Sequence, residues 1–169
     1  MKRFTYTALV VLCILTMAVQ PAYALRMYNA TNENQQVFND ADPHLIDLGN
    51  AFVGEDVGDT WQVDIKKNTR VVIIFSAECS VDAADTRTWI DLDILVDGVA
   101  VPPTNSDNAF WTSNGNDQLD SWGTPSVNCM VELEPGLHTF QVQGTLKNFS
   151  DGERWRIDDT SLTLIVQKR

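Results

Sequence analysis

Hydrophobic residues in this chain recur at every second position, in short runs separated by clusters of Gly, Asp, Asn and Pro. From Leu45 onward these runs return at intervals of about 8 to 15 residues, and no segment sustains a 3.6-residue period, which is the pattern of an all-β protein. In residues 70–79, Val71, Ile73, Phe75, Ala77 and Cys79 share one face, while Val72, Ile74, Ser76 and Glu78 share the other. In residues 89–97, Ile90, Leu92, Ile94 and Val96 point one way, with Asp91 and Asp93 opposite. Asp97-Gly98 then supplies a tight hairpin turn, because both residue types tolerate positive φ. The returning strand stops at Pro102-Pro103, where no amide proton remains for the ladder. Alternation resumes in residues 127–133, turns at Glu134-Pro135-Gly136, and runs through residues 137–146. A turn at Ser150-Asp151-Gly152 leads to residues 155–157 and a terminal strand in which Leu162, Leu164 and Val166 alternate with polar neighbours. These elements predict an antiparallel β-sandwich whose core takes Trp61, Trp89 and Trp155.

The first segment follows different rules. Lys2 and Arg3 precede an apolar stretch over residues 8–19, and Ala22-Tyr23-Ala24 supplies a small-x-small cleavage site. The stretch is shorter than the roughly 20 residues a spanning helix needs, so residues 1–24 read as a secretory signal peptide and the mature chain as secreted or periplasmic, with no membrane insertion. Residues 25–44 are polar and Asn-rich, a leader expected to be loosely ordered or to give one edge strand around Val37 and Phe38. Residues 45–169 then form the sandwich domain.

Charge narrows the partners. Without the signal the chain keeps 10 Lys and Arg against 23 Asp and Glu, a formal charge of −13. Such an acidic chain, with its basic residues scattered singly or in pairs, excludes nucleic acid as a partner. Cys13 leaves with the signal, so Cys79 and Cys129 are an even count in an exported chain, and a disulfide between them is expected. It would close a loop of about 50 residues, worth on the order of 4 kcal/mol in the chain-entropy model.

The C-terminal run EPGLHTFQVQG followed by WRIDDTSLTLIV resembles the closing strands of jelly-roll domains of the C1q and tumour-necrosis-factor-like kind. In those, a Pro-Gly turn, an inward His and apolar alternation precede a short loop and a last strand. The likeness covers about 35 residues of the chain, and no collagen-like Gly-x-y stretch precedes the domain. It implies a double sheet used for binding or assembly, with a homo-oligomer as one form of assembly.

Candidate chemistry gathers in residues 104–126, a polar stretch with two tryptophans. Trp111 and Trp122 could stack on the apolar faces of a sugar while Asp107, Asn114, Asn116, Asp117 and Asp120 bond its hydroxyls, making a glycan the leading ligand and a protein surface the other. The hard oxygens of Asp107, Asn116, Asp117 and Asp120 also suit calcium, although no EF-hand register is present. Paired carboxylates can serve a glycosidase, and Asp91 and Asp93 on one strand face stand about 6 to 7 Å apart. His138 shares a face with Phe140 and Val142 and reads as a packed, hydrogen-bonded residue, while His44 reads as a solvated loop residue. No nucleophile elbow, phosphate loop or dinucleotide fingerprint is present. Asn29-Ala30-Thr31 and Asn148-Phe149-Ser150 are glycosylation sequons. The chain thus reads as a non-catalytic binding module, with a self-associating jelly-roll subunit and a small glycosidase-like enzyme as the alternatives.

Overall fold

The computed structural model describes residues 25–52, 54–107, 109–115 and 122–167. Its elements are all strands: β1 (Leu25–Asn32), β2 (Gln36–Phe38), β3 (His44–Leu45), β4 (Asn50–Ala51), β5 (Trp61–Ile65), β6 (Thr69–Asp82), β7 (Trp89–Val96), β8 (Val99–Ala100), β9 (Ala109–Thr112), β10 (Ser126–Leu133), β11 (Gly136–Lys147) and β12 (Arg154–Gln167). Among the described residues no helix is long and apolar enough to cross a membrane.

Two antiparallel sheets carry these strands. The first has the order β10-β6-β12-β1-β4, with β2 also on β12; the second has β3-β11-β7-β8, with β5 on β11 and β9 on β7. The chain moves from β1 in the first sheet to β5 in the second, to β6, to β7 and its edge strands, to β10, to β11 and back to β12. This repeated crossing, which sets β12 between β1 and β6 and β11 between β5 and β7, is jelly-roll connectivity.

Alternation explains the packing. Val71, Ile73, Phe75, Ala77, Cys79 and Val81 of β6 face Ile90, Leu92, Ile94 and Val96 of β7 and Phe140, Val142 and Leu146 of β11 across a buried core. Trp155 is fully buried and lies against Gly144, where an added Cβ would fall 2.4 Å from its ring; a side chain there would displace the indole. The Asp97-Gly98 turn has φ of 52° and 77°, the two positive values that a primed hairpin turn requires.

The expected disulfide between Cys79 and Cys129 is not formed: both thiols are free and buried. They do face the same core, but Cys129 lies opposite Ile73, six residues before Cys79 on β6. Six strand residues span about 20 Å, while bridged Cα atoms lie within about 7 Å. Burial pushes the Cys79 thiol up to about 12, helped by the negative charge of Glu78, and burial alone pushes Cys129 up to about 11. Neither forms the reactive thiolate near neutral pH.

The segment that starts at Leu25 is more ordered than its composition implies. β1 pairs with β12 along all eight of its residues, from Leu25 opposite Gln167 to Asn32 opposite Thr160. The strand expected around Val37 and Phe38 is β2, which also lies on β12. His44, expected in solvent, pairs with Gly144 as part of β3, and its ring stacks on Phe38, which stacks in turn on Trp155.

Candidate functional site

The outward face of β7 and β11 gathers the polar chemistry. Since Ile90, Leu92 and Ile94 point inward, Trp89, Asp91 and Asp93 point outward, and the register sets Lys147, Thr145 and Gln143 directly opposite them. Lys147 Nζ lies 3.1 Å from Asp91 Oδ2 and 3.6 Å from Asp107 Oδ1. Asp107 reaches this lysine from the connection that follows β8, which brings that residue over the face of the second sheet.

The three carboxylates differ in setting. The Asp91 side chain is 9% exposed and that of Asp107 is 78% exposed. The Asp93 carboxyl is held above its usual range by burial first and then by the charge of Asp91, with Asp107 adding and Lys147 opposing. The Lys147 ammonium is raised chiefly by its hydrogen bond to Asp91; burial works against this, and the charges of Asp91 and Asp107 add to it. One ammonium among three acids leaves a negative surface with several hydrogen-bonding groups.

Trp89 borders this cluster and corrects the expectation that it fills the core. It is half-buried in the outward phase, between Thr112 and Lys147 on the neighbouring strands, and its buried Nε1 has no hydrogen-bond partner among the described residues. Lys147 and Trp89 are the residues of this face that the sequence reading did not place here. The signal was in the strand phase: Lys147 follows Gln141, Gln143 and Thr145 at every second position.

The two loop tryptophans have separate places. Trp111 on β9 is half-buried, and its six-membered ring covers Gly123, where an added Cβ would fall 2.1 Å away. Gly123 in turn exchanges both backbone hydrogen bonds with Cys79, at 2.8 and 3.0 Å. Trp111 therefore closes one end of the sandwich between a strand of the second sheet and the margin of the first. Trp122 is 39% exposed. Asn114 is exposed beside Ser113, whose buried hydroxyl donates to the Ala83 carbonyl at 2.6 Å and anchors the loop. Asn116, Asp117 and Asp120 lie outside the described residues, so of the four calcium candidates only Asp107 is placed, next to Lys147. Among the described residues no group of three or more His, Cys, Asp or Glu is arranged to hold a metal ion.

His138 is packed and hydrogen-bonded, as its phase implied. Nδ1 lies 2.7 Å from Asp97 Oδ2 and Nε2 lies 2.9 Å from the Glu134 carbonyl oxygen. Both partners accept, so both ring nitrogens carry protons. Burial pulls its pKa down, but the bonds to Asp97 and Glu134 and the Asp97 charge outweigh that and leave it raised. The sequon asparagines are engaged in the fold: Asn29 Oδ1 accepts from the hydroxyls of Ser161 and Thr163, and Asn148 Nδ2 donates to the Arg87 carbonyl.

No protein-family model matches the chain, and no curated protein matches it. Among solved structures it is similar to the dimeric latent PorU from Porphyromonas gingivalis, at 9% identity and a TM-score of 0.43. That likeness covers 89% of this chain and 14% of PorU. It is similar to a family 35 carbohydrate binding module from Clostridium thermocellum, at 16% identity over 82% of this chain and 97% of that one, with a TM-score of 0.34. It is also similar to the Eiger TNF from S. frugiperda, at 10% identity over 87% of this chain and 93% of that one, with a TM-score of 0.48.

Proposed function

We propose that this chain is a non-catalytic, exported binding module that takes a glycan on the outward face of its second sheet and the 104–126 segment above it. The observation that carries this reading is the meeting of Asp107 with Lys147 and Asp91. It joins the loop to a face that also offers Asp93, Gln143 and Thr145 beside the half-buried ring of Trp89. Sugars are recognised by such convergent carboxylates, amides and amines beside an indole, and Trp122, 39% exposed, is the further aromatic group that the loop supplies. A glycosidase would need the raised Asp93 and an ionised partner to flank a bond inside a cleft. Asp91, the neighbouring acid on the strand, is instead held by Lys147.

The test is a titration of tryptophan fluorescence with a panel of neutral and acidic oligosaccharides, using the protein and its Asp107→Asn and Trp122→Ala variants. The reading expects a saturable change with at least one sugar, weakened about tenfold by either substitution, the loss of a charge-assisted hydrogen bond or a stacking contact. A flat response across the panel, or a response that both variants retain, would count against it.

A second reading, assembly, rests on one observation of its own. Met130, Val72, Ile165 and Met27 lie in register across four strands on the outward face of the first sheet. Met130 is 55% exposed and Met27 is 71% exposed. A strand that is apolar on both faces, as β6 is at residues 71–75, belongs to sheets covered on both sides. Sedimentation of the protein against a Val72→Asp variant separates the readings, since assembly predicts an oligomer that the variant dissociates.

A further inference from the structure

The pocket at one open end of the sandwich departs from the character of the rest of the molecule. It has a volume of about 180 Å³ and lies between the end of β1, the end of β12 and the β5–β6 turn. Ile65 and Val166, both nearly buried, give it an apolar floor, and Tyr28 gives it an aromatic wall. Arg26 occupies the inward phase of β1 together with Tyr28 and Ala30, so it points toward the interior just beyond the place where the core ends.

The charges around this pocket set it apart. Among the described residues, Lys66, Arg70, Arg87, Lys147, Arg154 and Arg156 each have a carboxylate partner. Arg26 and Lys67 have none, and both line this one pocket. Asp64, the acid in the lining, is paired with Lys66. The lining therefore carries a net positive charge in a chain whose formal charge is −11. In so acidic a protein, two cations left without partners at a single apolar-floored cavity form a receptor for an anion that also has a body to bury.

We infer that this pocket is a second binding site, distinct from the face of the second sheet, for a compact organic carboxylate. Arg26 and Lys67 hold the carboxylate, and Ile65, Val166 and Tyr28 cover its ring or chain. The carboxylate could belong to a sugar acid or to a small aromatic or aliphatic acid, since either body fits an apolar floor and a phenol wall.

The experiment is a set of amide chemical-shift titrations of the ¹⁵N-labelled protein with glucuronate and with benzoate. Glucose and benzyl alcohol serve as neutral counterparts and inorganic sulfate as a bare anion. The inference expects at least one carboxylate to give saturable shifts at Arg26, Tyr28, Lys67 and Thr69, with the neutral counterparts giving none. Stronger binding of glucuronate identifies a sugar acid as the source, and stronger binding of benzoate identifies an aromatic or aliphatic acid. R26Q and K67Q should each weaken that binding about tenfold, the loss of one charge-assisted hydrogen bond. D107N and W122A should leave it unchanged, which separates this site from the proposed glycan face. Equal shifts from neutral and charged probes, equal shifts from sulfate, or undiminished binding by R26Q and K67Q would overturn it.

Discussion

The two sheets present opposite chemistry to solvent. On the first, Met130, Val72, Ile165 and Met27 line up in one row, bordered by the Arg70–Glu132 pair at 2.8 Å. On the second, the corresponding positions hold Asp91, Asp93, Gln143, Thr145 and Lys147, with Asp107 reaching in from the loop. Both sheets bury the same kind of residue inward, so the difference lies entirely in the outward phase. One core can thus support two unrelated surfaces, one suited to another apolar face and one to a polar ligand.

The contrast can be probed from the inside outward. The largest effect belongs to the shared core: Phe75→Ala should cost about 3–5 kcal/mol, because the side chain is fully buried and its removal leaves a cavity. Val72→Thr on the outward phase of the same strand, where the side chain is only half-buried, should cost about 1 kcal/mol, and urea denaturation midpoints compare the two. Next come the ion pairs. Lys147→Met should cost about 1–3 kcal/mol, since it takes the ammonium away from the nearly buried Asp91 carboxylate, whereas Arg70→Met, at an exposed pair, should cost less than about 1 kcal/mol. Equal costs for the two pairs would erase the difference between the faces.

A pH effect follows at the end of the second sheet. The folded His138 has a raised pKa, so its contribution to stability is complete below the unfolded value of 6.5 and is lost as pH rises through the folded value. Asp97 works in the other direction. Burial alone would raise its carboxyl, but His138 and Thr139 bring it below the ordinary 3.8, so its contribution is present above that value and is lost as pH falls through the folded one. His138→Gln should therefore flatten the decline in unfolding free energy above about pH 6.5, and Arg70→Met on the first sheet should leave that decline unchanged. The smallest effect is expected for Met27→Gln and Met130→Gln, within about 0.5 kcal/mol in a monomer, because both side chains already face water.

Much of this frame was legible in the sequence because strand phase is a local property. The alternation in residues 70–79 and 89–97 names the inward residues of β6 and β7 correctly, and Asp97-Gly98 marks the hairpin from β7 to β8. The unreadable parts depend on partners far away along the chain. β1 carries polar residues on both phases and is ordered by β12, from Asn32 opposite Thr160 to Leu25 opposite Gln167, with Asn32 satisfied by the Asp47 carbonyl. The cysteine pairing failed for a related reason: a shared face gives no information on position along a strand, and register sets the two about 20 Å apart. Asp91 and Asp93 were visible as outward acids, but the lysine that holds Asp91 and Asp107 together becomes a partner only through the β7–β11 register.

The separation of the two faces is tested most directly by a glycan-array comparison of three forms: the protein itself, an Asp93→Asn/Asp107→Asn double variant, and a Met27→Gln/Met130→Gln double variant. The account predicts that the protein and the methionine variant retain the same glycans while the aspartate variant loses them. Loss on changing the methionines with retention on changing the aspartates would contradict it.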